Sequence, residues 1–309
     1  MSKRQFFILT LSAFPLSLLA QENVNNVFVN DKGDVYVQAD APVYFFISPE
    51  SQPDQKVLIP STDRAANPMY FDGDGRHYLV YESGKEKVRY LVWADGFGPK
   101  ASLNVTQGLL FKHKNRIYVE NKATFRAAVT DTKSGVKQAF AAIDDFPFTP
   151  IISELTVERT GEYTIKLYGV DNVGNTGDTA IYQIIAAPEV TFRIDNIYFE
   201  TASARITDNS IENLNEIVEI LKNYPELYVE IKAHADVRGS SDYNMELSQK
   251  RAQSVVNYLS SKGIVNYRLK AKGYGDSQPV NECTKGVSCP DNKHRENRRV
   301  EFRFYLPKK

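Results

Sequence analysis

The chain has 309 residues, with 38 Lys plus Arg balanced by 38 Asp plus Glu. That length allows two or three domains, each large enough to bury its own core. The balanced charge leaves no basic excess of the kind that binds nucleic acid and no acidic tail, and the composition is that of a globular chain.

Lys3 and Arg4 precede an apolar run from Phe6 to Leu19, which ends at Ala20 before the polar stretch Gln21-Glu22-Asn23. This is the layout of a secretory signal peptide over residues 1–20, cleaved after Ala20. The run is too short for a membrane span, and Pro15 interrupts it. No cysteine follows the cleavage position, so an anchor of the lipoprotein type is not expected.

From Asp31 to Ala187 the chain alternates in short runs, among them Val35 to Gln38, His77 to Tyr81, Val88 to Ala94, Ile117 to Val119, Thr124 to Val129, Glu162 to Val170 and Thr179 to Ile185. Period-two alternation between Gly-, Asp- and Asn-rich turns predicts strands. The pattern around Tyr36 and Tyr44 returns about eighty residues later around Tyr118 and Phe125. This echo predicts two tandem β-sandwich modules over residues 24–110 and 111–187. In the second, Asp131 to Val136 and Tyr168 to Asn175 resemble the immunoglobulin-like modules of bacterial surface proteins. The competing reading is an outer-membrane β-barrel. It needs about ten residues of alternation per strand, more than most of these runs supply.

Pro188 closes this region. A strand is predicted at Ile194 to Phe199, followed by a helix capped by Thr207 or Asp208 with an apolar stripe of Ile211, Leu214, Val218 and Leu221. A strand over 227–235 leads to the loop Gly239-Ser240-Ser241-Asp242 and a helix over 243–261, with Asp242 as its cap and Gly263 as its stop. Strands at Tyr267 to Lys272 and Arg299 to Tyr305 complete a βαβαββ arrangement, an α+β domain whose mixed sheet carries its helices on one face.

The second helix sets a chemical problem. Leu247, Ala252, Val255, Val256 and Leu259 mark its inward stripe, and the same register turns Arg251 inward. A guanidinium cannot shed its charge, so a carboxylate must stand near it. Either Arg251 snorkels or pairs structurally with Asp236, or the two flank a pocket for a small zwitterion, with Asp236 taking an ammonium and Arg251 a carboxylate.

The residues His234-Ala235-Asp236-Val237-Arg238-Gly239-Ser240, Tyr243-Asn244, Leu247-Ser248, Arg251-Ala252, Gly273-Tyr274-Gly275 and Asn297-Arg298-Arg299-Val300-Glu301-Phe302 follow one another in the order of a known domain. The stretch 190–306 resembles the OmpA-like C-terminal peptidoglycan-binding domain, in the branch of the peptidoglycan-associated lipoproteins. The resemblance implies that Asp236 and Arg251 hold the diaminopimelate of the peptidoglycan stem peptide, with Asn244 and Arg299 as flanking contacts. Alternation lets only one of Arg298 and Arg299 face the pocket. The resemblance further implies a non-enzymatic tether in the periplasm, associated with the outer membrane, and the architecture of the β modules alone suggests spacers or a docking surface for a protein partner there.

Cys283 and Cys289 are the only cysteines, and in an exported chain they predict a disulfide. A metal pair completed by His294 would have only three ligands. His234 beside Asp236 suggests a catalytic dyad, but no nucleophile elbow or metal spacing accompanies it, so a structural histidine is expected. Asp171 to Asn175 fails the calcium-loop pattern at Val173 and Thr176 and reads as a tight turn. No cofactor or metal is expected.

Overall fold

The computed structural model describes residues 6–9, 16–21, 26–49, 57–58, 69–83, 86–193, 199–200 and 202–307. Of the expected leader, only the strand segments Phe6–Leu9 and Leu16–Gln21 are included. The expected strand at 194–199 lies outside, apart from Phe199. Residues 1–104, 125–155 and 164–182 form one compact unit, and residues 105–124, 156–163 and 183–309 form another.

In the first unit, β1 (Val27–Val29), β2 (Val35–Gln38), β3 (Gly75–Ser83) and β4 (Glu86–Asp95) form a sheet of order β1-β2-β4-β3. The β2–β4 pair is parallel, with Val35 opposite Val92 and Val37 opposite Ala94. All four are buried with Val43, Phe45 and Met69, because period-two alternation puts them on one face.

Next come β5 (Lys100–His113) and β6 (Arg116–Thr130), which pair with each other. At 14 and 15 residues they are far longer than the runs read from the sequence, and β5 was not anticipated. Its burial does not alternate cleanly, since exposed residues fall on both faces. The strand β7 (Val136–Ile143) pairs antiparallel with β8 (Gly161–Asp171), and β9 is Ala180–Ala186.

The second unit holds β10 (Val190–Arg193), α1 (Ile211–Asn223), β11 (Tyr228–His234), α2 (Ser241–Ser261), β12 (Leu269–Gly275), α3 (Asp291–Asn297) and β13 (Val300–Tyr305). The sheet order is β10-β13-β11-β12. Only β11–β12 is parallel, joined by the α2 crossover. From α1 onward this is the expected order with a short extra helix ahead of the last strand, and among the described residues the strand ahead of α1 is β10 at 190–193, not the expected 194–199.

Val229, Ile231 and Ala233 lie opposite Phe304, Phe302 and Val300 and share a core with Leu214, Ile217 and Leu221 of α1 and Ala252, Val255 and Leu259 of α2. Each of the larger side chains contributes about 1.5–3 kcal/mol by leaving water. The other face carries Glu230, His234, Glu301 and Arg303, and Arg303 Nη2 lies 3.0 Å from Glu230 Oε2.

Part of the hairpin between β5 and β6 belongs to this same core. The Phe111 ring stacks on Tyr118 at 4.6 Å and lies 5.1 Å from Phe304 and 5.6 Å from Phe192. The Lys112 amide donates to the Tyr224 hydroxyl at 2.9 Å. Ile117 and Tyr118 pair in parallel with Ile184 and Ile185 of β9.

Candidate functional site

The site is built where β11 ends. The Ala235 amide donates to the Gly275 carbonyl at 2.8 Å, after which the chain leaves the sheet and presents Asp236, which is 6% exposed. Its Oδ1 accepts the Arg238 amide at 3.0 Å. Its Oδ2 accepts Arg238 Nη2 at 2.8 Å, Arg238 Nε at 3.1 Å and Arg298 Nη1 at 2.6 Å. Burial alone would raise the carboxyl's pKa, but hydrogen bonds from Arg238 and then Arg298 outweigh it and hold the group down at about 2. Asp236 is therefore an anion at every physiological pH.

The loop over Asp236 is braced from α2. Asn244, 3% exposed, donates through Nδ2 to the carbonyls of Asp236 (2.9 Å) and Arg238 (3.2 Å). Its amide donors are thus spent on the loop, so its place is that of a brace for Asp236.

The helix begins two residues earlier than Asp242 would set it. Ser240 is the cap, its Oγ accepting the Tyr243 amide at 3.3 Å, and Asp242 falls in the first turn. The extended backbone of Ser240 suits a cap. At the far end Gly263, at φ +93°, donates to Ser260, and Ile264 donates to Leu259, which ends the helix as a Schellman turn.

The buried face of α2 is polar in its first half (Asn244, Ser248, Arg251) and apolar in its second (Ala252, Val255, Val256, Leu259), with Leu247 only half-buried. Gly273 sets how close the helix comes. A Cβ there would stand 2.4 Å from the Gln249 nitrogen and 2.6 Å from Ser248 Oγ. Ser248 Oγ in turn accepts the Gly275 amide at 2.9 Å.

Arg251 is 8% exposed, as its register predicts. Its Nε donates to the Ser203 carbonyl at 3.0 Å, and its guanidinium carbon lies 5.0 Å from the centre of the Phe199 ring. Among the described residues it makes no ion pair with a carboxylate, and Asp236 is instead paired with Arg238 and Arg298. The bracing Asp236–Arg251 pair entertained from the sequence is therefore not what holds Arg251. Burial lowers the affinity of Arg251 for its proton, and the positive charge of Arg298 adds to the effect.

Of the two adjacent arginines, Arg298 joins Asp236, and Arg299 is turned elsewhere. Arg299 donates from Nε to Glu301 Oε1 at 2.6 Å and from Nη1 to the Gln278 carbonyl at 3.1 Å. The reason is alternation: Val300 points into the core, so Arg299 shares the opposite face with Glu301. Arg298 precedes the strand as the C-cap of α3 and escapes that constraint. On that face His234 stacks on Tyr274 at 5.1 Å, with Nε2 3.7 Å from Glu301 Oε2. Together His234 and Arg299 hold the Glu301 carboxyl at about 2 against its burial. His234 is structural, and the dyad with Asp236 does not form.

Cys283 and Cys289 are joined in a disulfide, as expected, which removes them as metal ligands. The turn at Asp171 is braced as the default reading has it, with Oδ1 accepting the amides of Val173 (3.0 Å) and Asn175 (2.8 Å). Asp95 and Asp131 bring their carboxylates to within 4.8 Å of it, each engaged by backbone amides of residues 133–135.

The sequence gives no role to Arg238, Asp291, Ser203 or Phe199, and it leaves open which of Arg298 and Arg299 faces the pocket. Arg238 stands two residues after Asp236 on a loop, where an Asp-x-Arg spacing is the only available signal. Arg268 was also missed. It is 6% exposed and donates to the carbonyls of Leu227 (2.7 Å), Leu221 (2.8 Å) and Tyr224 (2.8 Å), capping the end of α1.

Residues 198–293 match the OmpA family. The chain is 30% identical over 124 residues to a peptidoglycan-associated lipoprotein of Brucella melitensis, covering 38% of this chain and 74% of that protein. It is 36% identical over 105 residues to a peptidoglycan-associated lipoprotein of Buchnera aphidicola, covering 34% of this chain and 58% of that protein. Among solved structures, the cell wall anchor of the T6SS from Pseudomonas aeruginosa is 30% identical, with 38% of this chain and 81% of that chain covered at a TM-score of 0.32.

Proposed function

The chain belongs to the OmpA family, and from that membership we propose that its C-terminal unit binds peptidoglycan noncovalently and tethers the chain to the cell wall. The names of the Brucella and Buchnera relatives record the same association for those proteins. The observation that carries the reading for this chain is Arg251, a buried guanidinium with one carbonyl and one aromatic face for company and no carboxylate paired to it among the described residues.

On this reading the missing carboxylate is the ligand's. The zwitterionic end of diaminopimelate supplies it to Arg251 and offers its ammonium to Asp236, while Asn244 keeps the Asp236 loop in place. Recognition of this kind needs no nucleophile and no metal, so the role is binding rather than catalysis. The β regions over 24–110 and 111–187 are read as immunoglobulin-like spacers, or as a docking surface for an outer-membrane or periplasmic partner, behind an export leader over 1–20.

Titration of the full chain with stem peptides tests this. Lysine in place of diaminopimelate keeps the ammonium but lacks the side-chain carboxylate, leaving Arg251 unpaired. Such a loss costs on the order of 1–3 kcal/mol, so lysine-type peptides bind about tenfold or more weakly. Equal affinity for both peptides would sink the zwitterion reading.

A further inference from the structure

Asp236 is already occupied. Its Oδ2 holds Nη2 and Nε of Arg238 at 2.8 and 3.1 Å and Nη1 of Arg298 at 2.6 Å, so an arriving ammonium finds two guanidinium groups in its place.

The two arginines differ in how firmly they are held. Arg298 leads directly into β13, and its side chain is 30% exposed. Arg238 sits on the loop between β11 and α2 with its side chain 53% exposed, and its Nη1 also reaches Asp291 Oδ1 at 3.1 Å. Asp291 is itself 58% exposed, at the first position of α3. Arg238 therefore has a second carboxylate within reach of its present position and can leave Asp236 without losing every partner.

We propose that Arg238 is a placeholder in the binding site: it occupies the ammonium position on Asp236 until ligand arrives, then passes wholly to Asp291. The proposal rests on the reading that Asp236 receives the ligand's ammonium. Burying a carboxylate is costly unless its oxygens are well paired, so the empty site is better off with Arg238 beside Arg298 on Asp236 than with Arg298 alone. An ion pair whose cation is half exposed is worth little, so displacing it costs little.

The consequence is selectivity. An isolated amine gains at Asp236 only what it takes from Arg238. A ligand that also gives a carboxylate to Arg251 gains a second contact, for which no carboxylate among the described residues competes. Arg238 thereby acts as a specificity-determining residue, biasing the site against plain amines and in favour of zwitterions.

The test is calorimetric titration of the full chain and its variants with diaminopimelate-containing and lysine-containing stem peptides. Removing the placeholder in Arg238→Gln tightens binding of the diaminopimelate peptide roughly two- to fivefold, the range an exposed ion pair allows. The lysine peptide gains at least the same factor, so discrimination between the two does not rise. Asp291→Asn, which removes the second resting place, weakens both. Should Arg238→Gln fail to fold, Arg238→Lys decides, since it keeps the charge but not the fork and is expected to tighten binding by a smaller factor.

Unchanged or weaker binding in the folded Arg238 variant overturns the placeholder. If binding is lost in Arg251→Met but indifferent to Arg238, only the placeholder falls. If the unaltered chain binds neither peptide, the wall-binding reading falls with it.

Discussion

Arg298 closes on Asp236, with Nη1 2.6 Å from Oδ2, although the two are 62 residues apart in sequence. The contact ties the exit of β11 to the start of β13, strands that are neighbours in the sheet. The carboxylate is therefore fixed by the fold before any ligand arrives. That is the condition under which a charge can select a partner instead of rearranging around it.

The first prediction is a pH dependence of stability. The Asp236 carboxyl is held at about 2, below its ordinary value of 3.8, so its contribution is fully present above pH 4–5 and is lost as pH falls through 2. Discounted for the half-exposed Arg238, it is on the order of 1 kcal/mol. Urea denaturation of the wild type and Asp236→Asn should differ most above pH 5 and converge near pH 2. A gap that persists at low pH would show that the charge is not its source.

A second prediction separates the two charges. Arg251→Met keeps bulk beside Phe199 and gives up no ion pair among the described residues, so the variant should melt no lower than wild type yet lose peptidoglycan pull-down. Asp236→Asn leaves Arg238 and Arg298 facing a neutral amide, which costs on the order of 1–3 kcal/mol. The double variant should carry the stability loss of Asp236→Asn alone. A fall in melting temperature for Arg251→Met by itself would assign that residue to the fold.

Arg268 offers a third test, unrelated to ligand. Arg268→Ala deserts three carbonyls at the end of α1, two of them in buried bonds, and should destabilise the unit on the order of 3 kcal/mol, at about 1 kcal/mol for each lost bond. Peptide affinity measured well below the melting temperature should be unchanged.

The fourth concerns the Cys283–Cys289 bridge. Mass analysis of envelope-purified chain without reductant should show two hydrogens fewer than the reduced formula. Replacing both cysteines by serine should cost about 2 kcal/mol or less, because the closed loop is short. Free thiols in that material would contradict export to an oxidising compartment.

What could be read from the sequence follows what periodicity reports. The helices α1 and α2 and strands β11, β12 and β13 were legible because Leu214, Val218 and Leu221, or Val229 and Ile231, recur at helical or strand spacing. The inward turn of Arg251 was legible for the same reason. Arg238, Arg298 and Ser240 lie on loops and caps, where no repeat tells which way a side chain points. The helix α3 is only seven residues long, and side-chain bonds hold it, such as Asn281 Nδ2 to the Lys293 carbonyl at 2.9 Å. Which of Arg298 and Arg299 faces the pocket was not legible because the Arg-Arg pair straddles the start of a strand, and only the position of that start decides which of the two escapes alternation.

The ring of Phe111 packed between Tyr118, Phe192 and Phe304 bears on how this protein can be cut and recombined. A gene fusion or expression fragment that begins at Pro188 would carry the whole family match and all the proposed binding residues. It would nevertheless strip the aromatic cover from Phe192 and Phe304 and leave the Tyr224 hydroxyl without the Lys112 amide. Such a fragment would bring a freshly exposed apolar patch into solution and invite self-association. In this lineage, exchange of the OmpA-matching segment between genes is expected to have carried the β5–β6 hairpin tip along or to have replaced Phe192 and Phe304 with polar residues.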